Sequence, residues 1–335
     1  MPLSVPTFYI AQLNQLLIEQ GFDLRALLRK KNASLDALQR PSATLSLKAF
    51  DELLTDIATQ TGQPHLGLLL GKRLQVSHHG PFGLAMANSE NVFDVINLVS
   101  EFLSVRLPFL SLSAEHTKHN VIVTLSSLHQ SGFAHQFVID ALAMAFLNIQ
   151  NALFSKTKTQ PIKRILFDYP LPETMNLQKY FEGIAYTDSH PFCGMILDKE
   201  ACRTQLEHYD PVGLQYAKEM CAREITALKG ALTTSEKVRA LFESEATLPS
   251  LEKIASLLCV SKRTLHRQLE NENTSFKLLR ESWLKSKAAN YLLVKNLSVE
   301  QTADLLGYTD SANFRRAFKR WFHISPSKFA AQNTL

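Results

Sequence analysis

With 335 residues, 45% of them apolar, the chain carries enough apolar surface for two domains with cores of their own, which argues against a disordered protein. Its formal charge of +5 is unevenly placed: residues 1–230 hold 20 Lys and Arg against 21 Asp and Glu, whereas residues 231–335 hold 16 against 10, so the positive excess belongs to the last third and points that part towards a polyanion. The four cysteines, Cys193, Cys202, Cys221 and Cys259, make no CxxC pair, which argues against a zinc cluster or a disulfide scaffold and fits free thiols in a reducing, cytoplasmic setting with no metal and no cofactor.

The start, Met1 to Pro6, lacks the basic and then apolar pattern of a signal peptide, and the apolar stretch Phe137 to Leu147 is broken by Asp140 and too short to span a bilayer. The first 70 or so residues read as helices: Phe8 to Ile18 has helical apolar spacing, and Ser46 is placed to cap a helix over Leu47 to Ile57. A further helix over Val92 to Val105 should end at Pro108. Phe109–Ser113 and Val121–Leu125 read as a hairpin, because polar residues from His116 to Asn120 separate two apolar runs. Phe133 to Phe154 reads as a helix buried on much of its surface. Ile162–Asp168 and Cys193–Leu197 are strand candidates, with turns and short elements between Tyr169 and Pro191, so residues 1–230 are mixed α and β. Asp210 and Pro211 mark the start of a helix running to Leu228, and the small polar residues from Gly230 to Ser235 form a linker.

Residues 231–335 read as all helix and turn, and they contain a repeat. The octet LEKIASLL at 251–258 matches VEQTADLL at 299–306, with Ala255 and Ala303 where a second helix must come close. A turn follows each, Cys259-Val260-Ser261 and Gly307-Tyr308-Thr309, with Ser261 and Thr309 as N-caps of the next helix. In the first copy that helix runs from Lys262 to Asn271, with Leu265 and Leu269 facing inward and Arg263, His266 and Arg267 outward. In the second, Phe314, Phe318 and Trp321 face inward, Ser311, Arg315 and Arg316 outward, and Asn313 lies at the edge. Two helices joined by a tight turn form a helix-turn-helix, whose second helix enters the DNA major groove. Arg can bond both acceptors of guanine and Asn those of adenine, while Lys262, Lys319, Arg320 and Lys328 flank these faces and suit phosphates. One such basic face is as often a solvated surface as a site; two copies of one unit favour the site. Ser275 to Val294 reads as one connecting helix, and at about 1.5 Å per residue it spans a distance comparable to the ~34 Å between successive major-groove faces.

The segment GYTDSANFRRAFKRWFHISP at 307–326 strongly resembles the AraC/XylS family signature, and the likeness reaches back through SKRTLHRQL at 261–269 to cover about 235–333. It implies base-reading positions at Arg263, His266 and Arg267 and at Ser311, Ala312, Arg315 and Arg316. More loosely, Leu66-Gly67-Leu68 with Gly71, then His79-Gly80-Pro81-Phe82-Gly83 and Tyr169-Pro170-Leu171-Pro172, resemble the arabinose-binding-type sensor domain of one branch of that family. That likeness implies a small-molecule effector, whose pocket residues the sequence does not mark, and a homodimer. The expected architecture is an α+β sensor and dimerisation domain over 1–230, followed by an all-α DNA-binding domain over 231–335. Within the latter, the helix-turn-helix units cover about 250–272 and 298–322, with a linker helix over about 275–295. The expected partners are promoter DNA and RNA polymerase.

Asn273 and His323 stand where the family often has glycine, and Cys259 replaces the turn glycine that Gly307 supplies, so the first turn must take another backbone path or carry strain. No HExxH, Walker, GxSxG or GxGxxG motif suggests an enzyme. His78 and His79, and His116 and His119, read as capping, solvated or turn residues rather than metal ligands. The competing readings are a basic protein that binds an acidic partner and a DNA-binding module attached to an unrecognised enzymatic domain.

Overall fold

The structure, a computed structural model, describes residues 4–332 apart from 8, 31–32, 40–42, 108, 128–131, 155–159, 172–176, 230–232, 245–247 and 273. Pro108, Pro172, Asn273 and the first part of the Gly230–Ser235 linker therefore lie outside the described residues.

The chain begins with β1 (Ser4–Pro6), α1 (Ile10–Glu19), α2 (Leu24–Lys30), α3 (Leu35–Leu38), β2 (Thr44–Ser46), α4 (Leu47–Thr61), α5 (Leu66–Arg73), a 3₁₀ turn (Val76–His79), α6 (Pro81–Ala87) and α7 (Val92–Arg106). Ser46 caps α4 as its position predicts, accepting from Ala49 N at 3.1 Å. The short pairing of β1 with β2 was not legible, because three-residue strands leave no periodicity to read. The hairpin β3 (Leu110–His116) and β4 (Asn120–Ser127) follows, then α8 (Phe133–Leu153), β5 (Ile162–Leu166), α9 (Leu177–Tyr180), β6 (Ala185–Thr187), β7 (Cys193–Asp198), α10 (Lys199–Arg203) and α11 (Pro211–Lys229). The remainder is helical: α12 (Thr234–Ser244), α13 (Leu251–Leu257), α14 (Lys262–Asn271), α15 (Phe276–Leu293), α16 (Val299–Leu305), α17 (Ser311–Phe322) and α18 (Pro326–Gln332). A mixed α and β N-terminal part followed by an all-helical C-terminal part is the architecture the sequence predicts.

Five strands form one sheet in the order β3-β4-β7-β5-β6, antiparallel throughout except for the parallel β5–β6 pair. Side chains alternate between its two faces. Val121, Val123, Leu125, Met195 and Leu197 point into the core under α7 and α8, while Ile122, Leu166 and Phe192 are buried on the opposite face.

The central helix is α8. It is the one described helix long and apolar enough to cross a membrane, and most of that stretch is buried within the protein. It serves two cores, one against the sheet and one against α1 to α5. The glycines of the Leu66–Gly71 motif explain how closely α5 approaches it: a Cβ on Gly67 would lie 2.2 Å from Phe137 O, and one on Gly71 would lie 2.4 Å from Ala141 O. The next motif has a similar cause. Gly80 takes φ +62, Pro81 opens α6, and a Cβ on Gly83 would sit 1.9 Å from Val76 O.

Candidate nucleic-acid interface

Each helix-turn-helix unit begins with a capped helix. Ser250 Oγ accepts from Lys253 N at the start of α13, and Ser298 with Gln301 makes a reciprocal capping box at the start of α16. The turns share one hydrogen-bond pattern. Val260 N donates to Ala255 O at 2.9 Å in the first, and Tyr308 N to Ala303 O at 3.0 Å in the second. Gly307 has φ +77 and Cys259 has φ +55, so the first turn keeps the backbone path of the second and places a residue with a side chain in the left-handed region. His323 likewise ends α17 at φ 62.

Ser261 caps α14, accepting from Thr264 N at 3.1 Å. The cap of α17 is Asp310 rather than Thr309: its carboxylate accepts from Asn313 N at 2.6 Å, and a carboxylate beside the unpaired N–H groups of a helix start gains more than a hydroxyl does.

The inward faces are those the spacing predicts. Leu265 and Leu269 are fully buried with Val238, Phe242, Ile254, Ala255 and Leu279; Phe314 and Phe318 are fully buried in the second core, with Trp321 half-buried beside them. Opposite, Arg263, His266 and Arg267 on α14 and Ala312, Arg315 and Arg316 on α17 are exposed, as are Lys262, Lys319, Arg320 and Lys328. Ser311 and Asn313 are half-buried. Asn313 is also held within its own helix start, with Nδ2 donating to Asp310 Oδ2 at 2.7 Å and Oδ1 accepting from Arg316.

Several of these cations have carboxylate partners that sequence reasoning missed, because the partners are distant in the chain or on another helix. Arg315 pairs with Glu300 at 2.7 Å, Lys262 with Glu252 at 2.9 Å and Arg320 with Glu281 at 2.8 Å. The Lys262 ammonium pulls the Glu252 carboxyl down to about 2. Glu281 is held below the usual carboxylate range first by the Trp321 indole N–H and then by Arg320. Exposed pairs of this kind contribute little and exchange readily for phosphate oxygens. Arg263, Arg267 and Lys319 have no ion-pair partner among the described residues.

The helix α15 ties the two units together. Leu279 enters the first core, Leu284, Ala288, Ala289, Leu292 and Leu293 enter the second, and Trp283 packs against both. The second core also takes in Ile122, Leu166 and Phe192 from the outer face of the sheet. Ser126 hydrogen-bonds Ser286, and Glu115 pairs with Lys295 at 3.3 Å across the same contact.

Behind that contact lies a buried polar group with no sequence signal, since its members are far apart in the chain. His135 Nε2 lies 2.9 Å from Asp168 Oδ1, and the Cys193 thiol donates to the same oxygen at 2.8 Å. Burial opposes ionisation of Asp168, but the hydrogen bonds from His135 and Cys193 hold its carboxyl below the ordinary range; burial and the Asp168 charge push the Cys193 thiol well up. Among the described residues these three could hold a metal ion, their donor atoms lying within 4.8 Å of one another. The same region explains the Tyr169 motif, because Tyr169 OH donates to the buried Asp140 at 2.6 Å. His78 acts as a cap, with Nδ1 accepting from Gln75 N at 2.9 Å, whereas His79 is buried and bonded to Tyr9.

Residues 21–206 match the family described as the arabinose-binding domain of AraC transcription regulators, and residues 254–332 match a helix-turn-helix domain family. An ornithine utilization regulator of Pseudomonas aeruginosa is 27% identical over 332 residues, which cover 97% of this chain and 96% of that one. The HTH-type transcriptional regulator VirS of Mycobacterium tuberculosis is 26% identical over 323 residues, covering 94% and 93%. The crystal structure of the transcriptional regulator CdpR from Pseudomonas aeruginosa aligns with a TM-score of 0.45 at 19% identity, covering 97% of this chain and 98% of that one.

Proposed function

Because this chain belongs to the AraC family, and is a DNA-binding transcription regulator with an N-terminal sensor domain, we propose that α14 and α17 are its recognition helices, set into successive major-groove segments of one promoter duplex. What supports this most is that two exposed basic faces, at equivalent positions of a repeat, are fixed to the two ends of one helix, α15. An 18-residue helix is about 27 Å long, close to one duplex turn.

In this reading Arg263, His266 and Arg267, with Ser311, Ala312, Asn313, Arg315 and Arg316, meet base edges. Lys262, Lys319, Arg320 and Lys328 meet phosphates. Glu252, Glu281 and Glu300 hold three of these cations in place until the duplex replaces them. The sensing and dimerisation domain ends near residue 230: Leu214, Ala217, Cys221 and Ile225 of α11 belong to the sheet-side core, and Val238 and Phe242 of α12 to that of the first helix-turn-helix. The protein acts in the cytoplasm as a regulator and not as an enzyme. A small effector bound by the sensor domain changes how the two units meet DNA, and RNA polymerase is the further partner. Pairing with a second copy has support in Val212 and Tyr216, apolar side chains one turn apart on α11 that are 78% and 62% exposed.

Selection from a randomised duplex library tests the site. Arg267→Ala and Arg315→Ala should each weaken specific binding by about 1–3 kcal/mol and relax preference at one base position, while Lys319→Ala should weaken all sequences alike and lower the salt slope by about 1. Unchanged sequence preference in both arginine variants overturns the assignment.

A further inference from the structure

A cavity lies between α1, α4, α5, α7 and α8; the empty space in it, together with the open solvent at its mouth, is about 740 Å³. Its walls are apolar, among them Leu13, Phe50, Phe102 and Phe137; the polar side chains that reach it are Thr7, Tyr9 and His79. Thr7 is already engaged, its hydroxyl lying against the carbonyls of Leu38 and Ala43. That leaves the Tyr9–His79 pair, whose hydroxyl and Nδ1 are 2.6 Å apart.

The proton on this pair can be placed. Burial, helped by the nearby charges of His78 and Arg106, lowers His79 to about 4, so the imidazole is neutral near pH 7 and carries one N–H. Burial pushes the Tyr9 hydroxyl well up, outweighing the opposing Arg106 cation, so Tyr9 keeps its proton, and a phenol is a stronger donor than a neutral imidazole N–H. Nδ1 then accepts, and the ring proton sits on Nε2. His79 Nε2 is buried and has no partner among the described residues. Buried donors are seldom left in that state, and an acceptor from outside the chain, a water or an oxygen of a bound molecule, would complete it.

We propose that this cavity is the effector site and that it takes an uncharged, largely apolar molecule whose single accepting oxygen, of a ketone, ester, lactone or amide, receives the His79 Nε2 proton. The proposal rests on the reading of the N-terminal domain as an effector sensor. A carboxylate fits less well, because the nearby cation, Arg106, is already ion-paired with Glu224 and lies 5.7 Å from the Phe102 ring centre. A pentose fits worst: its hydroxyl groups would be buried against apolar walls without partners. The cavity therefore departs from what the name of the domain family suggests.

Calorimetric titration of the full chain with four probes, 2-octanone, octane, octanoate and L-arabinose, tests the inference. The expected result is that 2-octanone binds at least tenfold more tightly than octane or octanoate and that L-arabinose gives no signal. His79→Phe should bring the ketone down to the affinity of the alkane, and Leu142→Trp, which fills the cavity from α8, should abolish binding of both. Retention of specific DNA binding by each variant shows that it is folded. The proposal is overturned if 2-octanone gives no signal, if L-arabinose binds instead, or if the ketone keeps its advantage in the His79→Phe protein. A shift in the DNA affinity of the full chain by some other metabolite, unaffected by Leu142→Trp, overturns the cavity while leaving the sensor reading standing.

Discussion

Cys259 shows what one residue can reveal. It occupies the position that Gly307 fills in the second unit, with the same turn hydrogen bonds and φ +55, so its Cβ is held in the left-handed region that glycine enters freely. Cys259→Gly should stabilise the protein by about 1 kcal/mol, read as a higher urea midpoint at unchanged slope; a lower midpoint would sink the account. His79 gives a second expectation. Its folded-state pKa, lowered by burial to about 4, lies below the ~6.5 of the unfolded chain, so between those values the unfolded state binds the extra proton. Its contribution is thus complete above pH 6.5 and is lost as pH falls towards 4, by about 2 kcal/mol between pH 7.5 and 5. Unfolding midpoints of wild type and His79→Phe at the two pH values should show that extra loss in the wild type alone. The outward arginines of α14 and α17 were legible because leucine and phenylalanine spacing fixes the inner face and so the outer one. The partners Glu300 and Glu281 were not, since they lie 15 and 39 residues from the arginines they hold.

Among whole elements, long helices were the best read, because each shows several turns of periodicity; α7, α8, α11 and α15 fall within a residue or two of their expected bounds. The cap of α17 shifted by one position because Thr309 and Asp310 are adjacent and both can cap, and sequence spacing cannot decide which residue leaves the helix. The packing of α5 on α8 had a sequence trace, Gly67 and Gly71, but not a readable cause. Their four-residue spacing puts both on one face, and only the structure shows that this face meets the backbone of α8. Gly71→Ala would set a methyl group against Ala141 O and should destabilise the protein by about 1–3 kcal/mol despite the better helix propensity of alanine. A chemical denaturation curve showing the variant equal to or more stable than wild type would mean that the two helices can separate at no cost.

At the scale of the molecule, the sheet is covered on both sides, by α7 and α8 on one and by helices of the C-terminal part on the other. This was illegible because a strand buried on both faces and one buried on a single face differ only in a few apolar residues, here Ile122, Leu166 and Phe192. The consequence is a shared core: α15, which spaces the proposed recognition helices, rests on the sheet of the sensor domain. From α8, His135 reaches Asp168 and the buried Asp140 meets Tyr169, while the charge on Asp168 is felt by Lys285 of α15. A helix lined by the cavity on one side and bonded to the β5 end on the other is a physical route from ligand to spacer, provided that the two parts are thermodynamically coupled. Coupling of that kind predicts one cooperative melting transition for the full chain. Ile122→Ser places a hydroxyl in the shared core, where it loses apolar contact and gains no assured partner, and should weaken the docking by about 1–3 kcal/mol. The variant should then melt in two steps by calorimetry, with faster amide exchange along α15 and little change in α14. A single transition with wild-type exchange in α15 would show that the contact carries no coupling, and an effector signal would then need another path to the DNA.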